Sequence, residues 1–248
     1  KMTISALIIA RNEENKIQRS LKSLDFVNEI IVILDRTTDQ TKSKSALFTK
    51  KIYSGSWEFE GERRNYGISK CNSNWILEID ADEVVGKRLA EEIVQKTKRA
   101  DSDFYYIPIK NFLGQIPVPN GWMSCMAPDG KFSLFKKNCK KWRNGRVHPS
   151  YELTGRKGKT LLNPIDHFMS EDISDLIKRF NRNSSLYAED LRSDKGNLSK
   201  LKSLRKIFSR FIKSFISRKG FKSGGIGILI SILCAIYPFI SAMKSKND

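Results

Sequence analysis

Short apolar runs alternating with helix-patterned segments predict an α/β fold built on a mostly parallel sheet, followed by a helical C-terminal region of different character. Two observations carry the first half of this reading. Successive apolar runs are short, bounded and rich in β-branched residues, and each gives way to a polar cluster and then to apolar residues at helical spacing. Strands alternating with helices build βαβ units, whose parallel sheets are buried on both faces. The third observation is a change of composition beyond Ser193, where basic residues and then a long uncharged segment replace the alternation.

Thr3 to Ala10 is the first strand, and Arg11-Asn12-Glu13-Glu14 leads from it into a helix through Ile17, Leu21 and Leu24. Glu29 to Leu34 is the second strand, running into Asp35-Arg36-Thr37-Thr38-Asp39-Gln40-Thr41 and a short helix that ends near Phe48. Lys51 to Ser54 gives a third. Gly61 to Lys70 then opens a helix whose arginines either reach a phosphate or simply face solvent. The next apolar run, Trp75-Ile76-Leu77 with Ile79, ends abruptly in the carboxylates Asp80, Asp82 and Glu83. Carboxylates at the exposed end of a buried strand repel one another unless a cation sits between them, and oxygen ligands of this kind suit Mg²⁺ or Mn²⁺. The competing reading is an acidic strand-to-helix turn, with Asp82 or Glu83 starting the helix that carries Leu89, Ile93 and Val94. Ligands of open parallel sheets collect beyond the carboxyl ends of the strands, so the three polar clusters are expected to converge there.

From Asp103 the segments become short: Phe104 to Ile109, a Pro- and Gly-containing stretch from Gly114 to Gly121, Phe132 to Lys136, and Arg146 to Leu153. Trp122 and Trp142 in this part are either core or stacking surfaces for a ligand. Asp172 to Leu191 reads as a helix that closes the main domain. Lys195, Lys200, Lys202, Arg205, Lys206, Arg210, Lys213, Arg218, Lys219 and Lys222 follow, with no acidic residue among them. Leu201, Leu204, Phe208, Phe211, Ile212 and Phe215 recur at helical spacing between these cations, the pattern of a helix lying in an anionic membrane surface. Ser223 to Met243 is uncharged, but its glycines, serines and Pro238 favour an interfacial or re-entrant hairpin, or a buried helical pair, over a plain span.

The chain has 248 residues and a formal charge of +18, from 45 Lys plus Arg against 27 Asp plus Glu. That length suits one domain with an appendage, and that charge favours anionic partners. Nucleic acid is disfavoured, because the basic residues gather beside an apolar stripe and not around an aromatic groove. The cysteines, Cys71, Cys125, Cys139 and Cys234, lack Cys-x-x-Cys spacing and no signal peptide precedes the first strand, so reduced thiols in a cytoplasmic setting are expected.

Four segments together carry a family resemblance: Ile8-Ile9-Ala10-Arg11-Asn12-Glu13-Glu14; Glu29-Ile30-Ile31-Val32 leading to Asp35 and Thr38-Asp39-Gln40-Thr41; Arg64-Asn65; and Leu77-Glu78-Ile79-Asp80-Ala81-Asp82-Glu83. In order and spacing they resemble family 2 glycosyltransferases of the GT-A type, and within these the lipopolysaccharide-core glucosyltransferases and their relatives. The resemblance implies a Rossmann-like sheet with flanking helices. It places a nucleotide sugar, with uracil the usual base, at Arg11, Asn12, Glu13 and Asp35, and sets Arg64 near the nucleotide. Asp80 and Asp82 would hold a divalent ion, Mg²⁺ or Mn²⁺, on the diphosphate, with Asp82 the direct ligand. His167 matches a recurrent histidine that completes the metal or phosphate site, or else packs in a loop. Relatives carry Val-His-Glu where this chain has Val147-His148-Pro149, so the base is His148, Glu152 or a carboxylate elsewhere. Many relatives also have an aromatic residue at the position of Arg11 and a glycine in the second loop.

The expected organisation is a catalytic domain over residues 1–193 and a membrane-associating region over 194–248. The expected activity is metal-dependent, inverting transfer from a nucleotide sugar to a lipid-linked glycan, by a peripheral or monotopic protein on the cytoplasmic side of the inner membrane. A sugar-phosphate nucleotidyltransferase is the alternative enzyme, although Ala10-Arg11-Asn12-Glu13 lacks the glycine-rich basic loop of that class. A binding module without catalysis is the alternative outside enzymes.

Overall fold

In the computed structural model, which describes residues 2–99, 101–193 and 204–246, strands β1 (Ile4–Ala10), β2 (Glu29–Asp35), β3 (Ile52–Gly55) and β4 (Trp75–Asp80) are parallel neighbours in the order β3-β2-β1-β4. Helices α1 (Ile17–Lys22), α2 (Thr41–Ala46) and α3 (Glu60–Lys70) lie in the connections. The chain leaves β1 toward β2 and β3, then returns to place β4 on the other side of β1. That reversal makes the carboxyl ends of β1 and β4 a topological switch point, where the loops diverge and a ligand crevice opens.

Residues of β1 alternate between two cores. Ile4, Ala6, Ile8 and Ala10 join one, with Val32, Leu34, Trp75, Leu77 and Ile79, whereas Leu7 joins the other with Ile31, Ile33 and Ile76. Burial on both faces is why the sequence shows unbroken apolar runs and no polar alternation. Helix α3 packs close on the second face: a Cβ on Gly67 would lie 2.6 Å from Leu7 Cδ1. After β4 come β5 (Glu83–Val85), α4 (Lys87–Lys98), β6 (Phe104–Leu113), β7 (Ile116–Pro117), β8 (Gly130–Lys136), β9 (Lys140–Trp142), β10 (Tyr151–Leu153) and β11 (Ile165–Ser170). The sheet continues from β4 through β8, β6 and β11 to β5, β7 pairs with β6, and β9–β10 form a separate hairpin. Glu83 thus begins a strand, and α4 starts after Gly86, so the competing reading, in which Asp82 or Glu83 starts the helix, does not hold.

Two compact units form: Lys1–Ile109, Gly130–Gly145 and Pro149–His167 make the first, and Lys110–Asp129, Arg146–His148 and Phe168–Asp248 the second. The second is built on α5 (Ile173–Ser193), α6 (Leu204–Ile212) and α7 (Gly224–Lys244), with a π-helical turn over Lys213–Ser217 and a 3₁₀ turn over Gly220–Ser223. Its core gathers Leu113, Trp122, Met169, Leu176, Phe180, Leu233 and Tyr237. Tyr237 of α7 meets Phe180 of α5 edge-on at 5.8 Å, and its hydroxyl donates to Asn183 O. The boundary expected between residues 193 and 194 falls where the described residues stop, and Lys195, Lys200, Leu201 and Lys202 lie outside them.

Pro238 interrupts α7, because it has no N–H for the carbonyl of residue 234. Arg210 of α6 fills that gap: its Nε donates to Cys234 O at 3.0 Å, and its Nη2 reaches Cys125 Sγ at 3.1 Å. With Arg210 turned inward, Leu204 and Phe208 of α6 turn outward, 78% and 68% exposed, while Ile207, Phe211 and Ile212 are half-buried. Ile216, Phe221, Ile228 and Ile232 are exposed too, as are Arg205, Lys206, Lys213, Lys219 and Lys222. Gly220–Lys244 is long and apolar enough to cross a bilayer, yet half of its most apolar window is buried within the protein. The cysteines are unbridged.

Candidate active site

The acidic turn is built by the end of β4 and the start of β5. Asp80 N–H donates to Glu83 Oε2 at 2.8 Å, closing the turn upon itself. Two protein cations then divide the carboxylates. Lys131 of β8 lies 3.0 Å from Asp80 Oδ2 and 2.6 Å from Glu83 Oε2, while Arg64 Nη2 takes Asp80 Oδ1 at 3.1 Å. Burial works against ionising Asp80, but Lys131 and Arg64 override it and hold this carboxyl well below the usual carboxylate range. Burial also opposes the charge on Lys131, and Asp80 with Glu83 outweighs it, so the ammonium is held above the ordinary lysine value. At Glu83 burial prevails and pushes the carboxyl up. The cation demanded by three clustered carboxylates is therefore supplied in part by a lysine from a distant strand, a residue with no marking in the sequence around it.

Arg64 is itself fixed from three sides. Glu60 Oε1 accepts from it at 2.7 Å, Asp80 at 3.1 Å, and its guanidinium sits 4.8 Å from the centre of the Trp142 ring. Asn65 locks that tryptophan through both backbone groups, donating to Trp142 O at 2.8 Å and accepting from Trp142 N at 3.0 Å. Trp142 Nε1 donates to Glu78 Oε1 at 2.8 Å, and Glu78 forms a buried ion pair with Lys140. Lys140 lies over Trp142 at 4.2 Å and Tyr151 at 4.4 Å, and burial lowers its pKa to about 8. Trp142 is thus a platform for Arg64, and Trp122 is buried in the core of the second unit with Nε1 donating to Val118 O.

Asp82 and His167 come together across the β5–β11 pairing, which sets His167 opposite Glu83 and leaves His167 Nε2 3.5 Å from Asp82 Oδ1. Among the described residues, no group of three or more His, Cys, Asp or Glu side chains is arranged to hold a metal ion. A carboxylate beside an imidazole fits an Mg²⁺ or Mn²⁺ ion whose other ligands come from a substrate diphosphate, since Mg²⁺ in particular is commonly bound by one or two carboxylates plus phosphates.

The first two loops interlock. Asn12 Oδ1 accepts from Thr38 N at 2.9 Å, Glu13 N donates to Thr41 Oγ1 at 2.8 Å, and Glu14 is tied to Asp39 and Gln40. Asn12 (φ +54°) and Arg36 (φ +48°) adopt left-handed backbone, which for arginine is strained and typical of functional turns. Asp35 is fully buried and already satisfied: Arg36 donates to both oxygens, Trp57 N to Oδ1 at 3.2 Å, and Arg63 to Oδ2 at 2.6 Å. Burial opposes its charge, but these donors hold its carboxyl below the ordinary value. Arg11 is exposed beside them. Trp57 stands 5.3 Å from Tyr66, an aromatic pair that the strand and loop patterns gave no reason to single out.

Of the two expected bases, Glu152 belongs to the first unit and pairs with Arg143 at 2.9 Å, both exposed. His148 belongs to the second, is exposed and has φ +50°.

Residues 5–148 match the model of the family described as Glycosyl transferase family 2. An uncharacterized glycosyltransferase of Rickettsia felis is 30% identical over an alignment covering 98% of this chain and 92% of the relative. The lipopolysaccharide core biosynthesis glycosyltransferase LpsC of Rhizobium meliloti is 23% identical, again over 98% of this chain and 92% of the relative. Among solved structures, S. aureus TarS 1-349 in complex with UDP has a TM-score of 0.52 at 14% identity, covering 99% of this chain and 90% of that chain. That likeness is one of fold, and the parallel core with its antiparallel extension agrees with the expected GT-A architecture.

Proposed function

The chain belongs to glycosyl transferase family 2, and from that premise we propose that it moves a sugar from a uridine diphosphate donor to a lipid-linked saccharide, with inversion at the anomeric carbon. The observation that carries this reading is the acidic turn at the sheet's switch point, where Asp80, Glu83, Lys131 and Arg64 are locked together beside Asp82 and His167. Family membership sets aside a nucleotidyltransferase and a module without catalysis.

In this reading Arg11, Asn12 and Glu13 border the nucleoside. Asp35 acts there by holding Arg36 and Arg63 on the donor side. Arg64 faces the diphosphate, with Asp80 fixing its guanidinium. Asp82 and His167 would hold a divalent ion, which when bound supplies Lewis-acid neutralisation of the departing diphosphate. The acceptor hydroxyl oxygen bonds to the anomeric carbon as the bond from that carbon to the diphosphate oxygen breaks. The electron pair leaves with the nucleoside diphosphate, and the hydroxyl proton passes to His148, Glu152 or a carboxylate elsewhere. Preorganised charge at the leaving group is the largest expected contribution of the protein. A uridine donor is supported by the related fold of TarS having been solved with UDP, and an acceptor of lipopolysaccharide-core type by the similarity to LpsC.

The second unit is proposed to rest on the cytoplasmic face of the inner membrane. Leu204, Phe208, Phe221 and Ile232 would enter the acyl boundary while Arg205, Lys206, Lys213 and Lys222 meet anionic headgroups. A half-buried α7 supports lying in the interface over spanning it. The decisive experiment incubates the protein with UDP-, GDP- and dTDP-sugars and Mn²⁺, scoring donor hydrolysis and thermal protection. A response confined to UDP-sugars is expected, and an equal or greater response to GDP- or dTDP-sugars overturns the donor assignment. Separate pH–rate profiles of His148→Gln and Glu152→Gln, assayed with an acceptor, identify the base as the residue whose loss removes the fall in rate on the acidic side.

A further inference from the structure

We propose that Lys131 is a built-in counter-cation that keeps the acidic turn unreceptive to divalent ions until a nucleoside diphosphate is present. Metal binding by this protein is then conditional on nucleotide. The inference rests on the reading of Asp82 and His167 as ion ligands and adds to it how their occupancy is controlled.

The argument begins with how charge is distributed in the turn. Asp80 and Glu83 already have a cation in contact. Lys131 bridges Asp80 and Glu83 at 3.0 and 2.6 Å, and Arg64 takes the remaining oxygen of Asp80. Lys131 is not a solvated side chain swinging past the site, since only 17% of it is exposed. Glu83 is 2% exposed and is held by Asp80 N–H as well as by the ammonium, so it cannot turn away to meet an arriving ion. With Lys131 and Arg64 offsetting two of the turn's three carboxylates, a divalent ion meets far less attraction there than three uncompensated carboxylates would give. A diphosphate reverses the balance, because it adds negative charge and supplies oxygen ligands that the protein lacks. The lysine also removes the need for an ion to hold the turn together. Asp80, Glu83 and Lys131 form a closed arrangement without one, so the donor loops stay in place between turnovers.

The test titrates Mn²⁺ into wild type, Lys131→Met and Lys131→Arg, with and without UDP, following free Mn²⁺ by electron paramagnetic resonance. Wild type and Lys131→Arg should bind Mn²⁺ weakly alone and tightly with UDP. Lys131→Met should bind Mn²⁺ without UDP at least about tenfold more tightly than wild type, since one nearby positive charge is gone. Its thermal unfolding temperature should rise on adding Mn²⁺ alone, where that of wild type should not move. No gain of nucleotide-free affinity in Lys131→Met overturns the proposal. So does tight Mn²⁺ binding by wild type without UDP, an outcome that needs no variant to fold. If wild type fails to bind Mn²⁺ even with UDP, the ion-ligand reading of Asp82 and His167 falls first and takes this proposal with it, a result distinguishable from the other two.

Discussion

The two units dispose their polar and apolar groups differently. In the first, apolar residues fill both faces of the sheet and charged groups collect where its strands end, Asp35, Asp80 and Glu83 each meeting an arginine or lysine. In the second an apolar core is also present, but Ser214, Ser231 and Ser241 are buried and Arg210 is drawn in against a backbone carbonyl, while Leu204, Phe208, Phe221 and Ile232 are exposed. The first arrangement suits a small, highly charged ligand. The second is what the proposed contact with a membrane surface would use, where an exposed Phe208 is no liability and an unpaired carbonyl would be. Net charge, averaged over the chain, conceals this contrast entirely.

The largest effect that should sharpen the contrast lies inside the first unit. Lys140→Met leaves Glu78 buried without its partner and should cost about 3–5 kcal/mol of stability in urea unfolding. The double change Glu78→Gln with Lys140→Met should recover most of that loss, because it buries no charge. The pair also predicts a pH response. Lys140 falls from its ordinary 10.5 to about 8 in the folded protein, so between those values the unfolded chain binds the proton that the folded chain has released. Stability should then rise with pH through that window in wild type relative to the double variant, and the burial penalty on the charged amine is fully present below it. A flat difference between pH 7 and pH 10 breaks the assignment.

Next in size is Asp82→Asn. Transfer should fall by about a hundredfold or more while the unfolding temperature stays near that of wild type, since the substitution removes charge at the proposed diphosphate site and little packing. An intact rate would remove Asp82 from the chemistry. In the second unit the corresponding change is Leu204→Asp with Phe208→Asp. Sedimentation with anionic vesicles should weaken by more than about tenfold, because two large apolar side chains no longer leave water, and folding should be untouched. Destabilisation without loss of vesicle binding would show that this surface is covered by protein. The smallest effect is expected for Arg205→Ser and Lys206→Ser, each worth about 1 kcal/mol of vesicle binding at low salt, and less as salt is added.

Much of the first unit was legible because its strands are buried on both faces and its polar clusters follow them directly. The need for a cation at Asp80, Asp82 and Glu83 was legible too, from repulsion alone. Its partial source was not: Lys131 reaches the turn through the pairing of β4 with β8, a contact that no local pattern encodes. Glu78 and Asp80 lie two apart on one strand, on one face, yet only the fold reveals that the first is neutralised by Lys140 and the second by Arg64 and Lys131. The helical spacing of α6 was legible, but the inward place of Arg210 among its basic residues was not. Periodicity separates an apolar face from a basic one but does not say which face the protein keeps, and Arg210 belongs to the face it keeps.

A signal for that orientation did exist, in Pro238. A proline within a helix leaves the carbonyl one turn back without its amide, and in α7 that carbonyl is Cys234 O. The vacancy behaves as a keyway. Only a long side chain with a forked, permanently charged end can both span to it and engage Cys125 beside it, and Arg210 is cut to that shape. The seated guanidinium pins α6 at that point, and the bearing of Leu204 and Phe208 follows from its helical pitch. One imino acid thereby aims a neighbouring helix, and a lysine at position 210, equal in charge, would turn in the lock without catching.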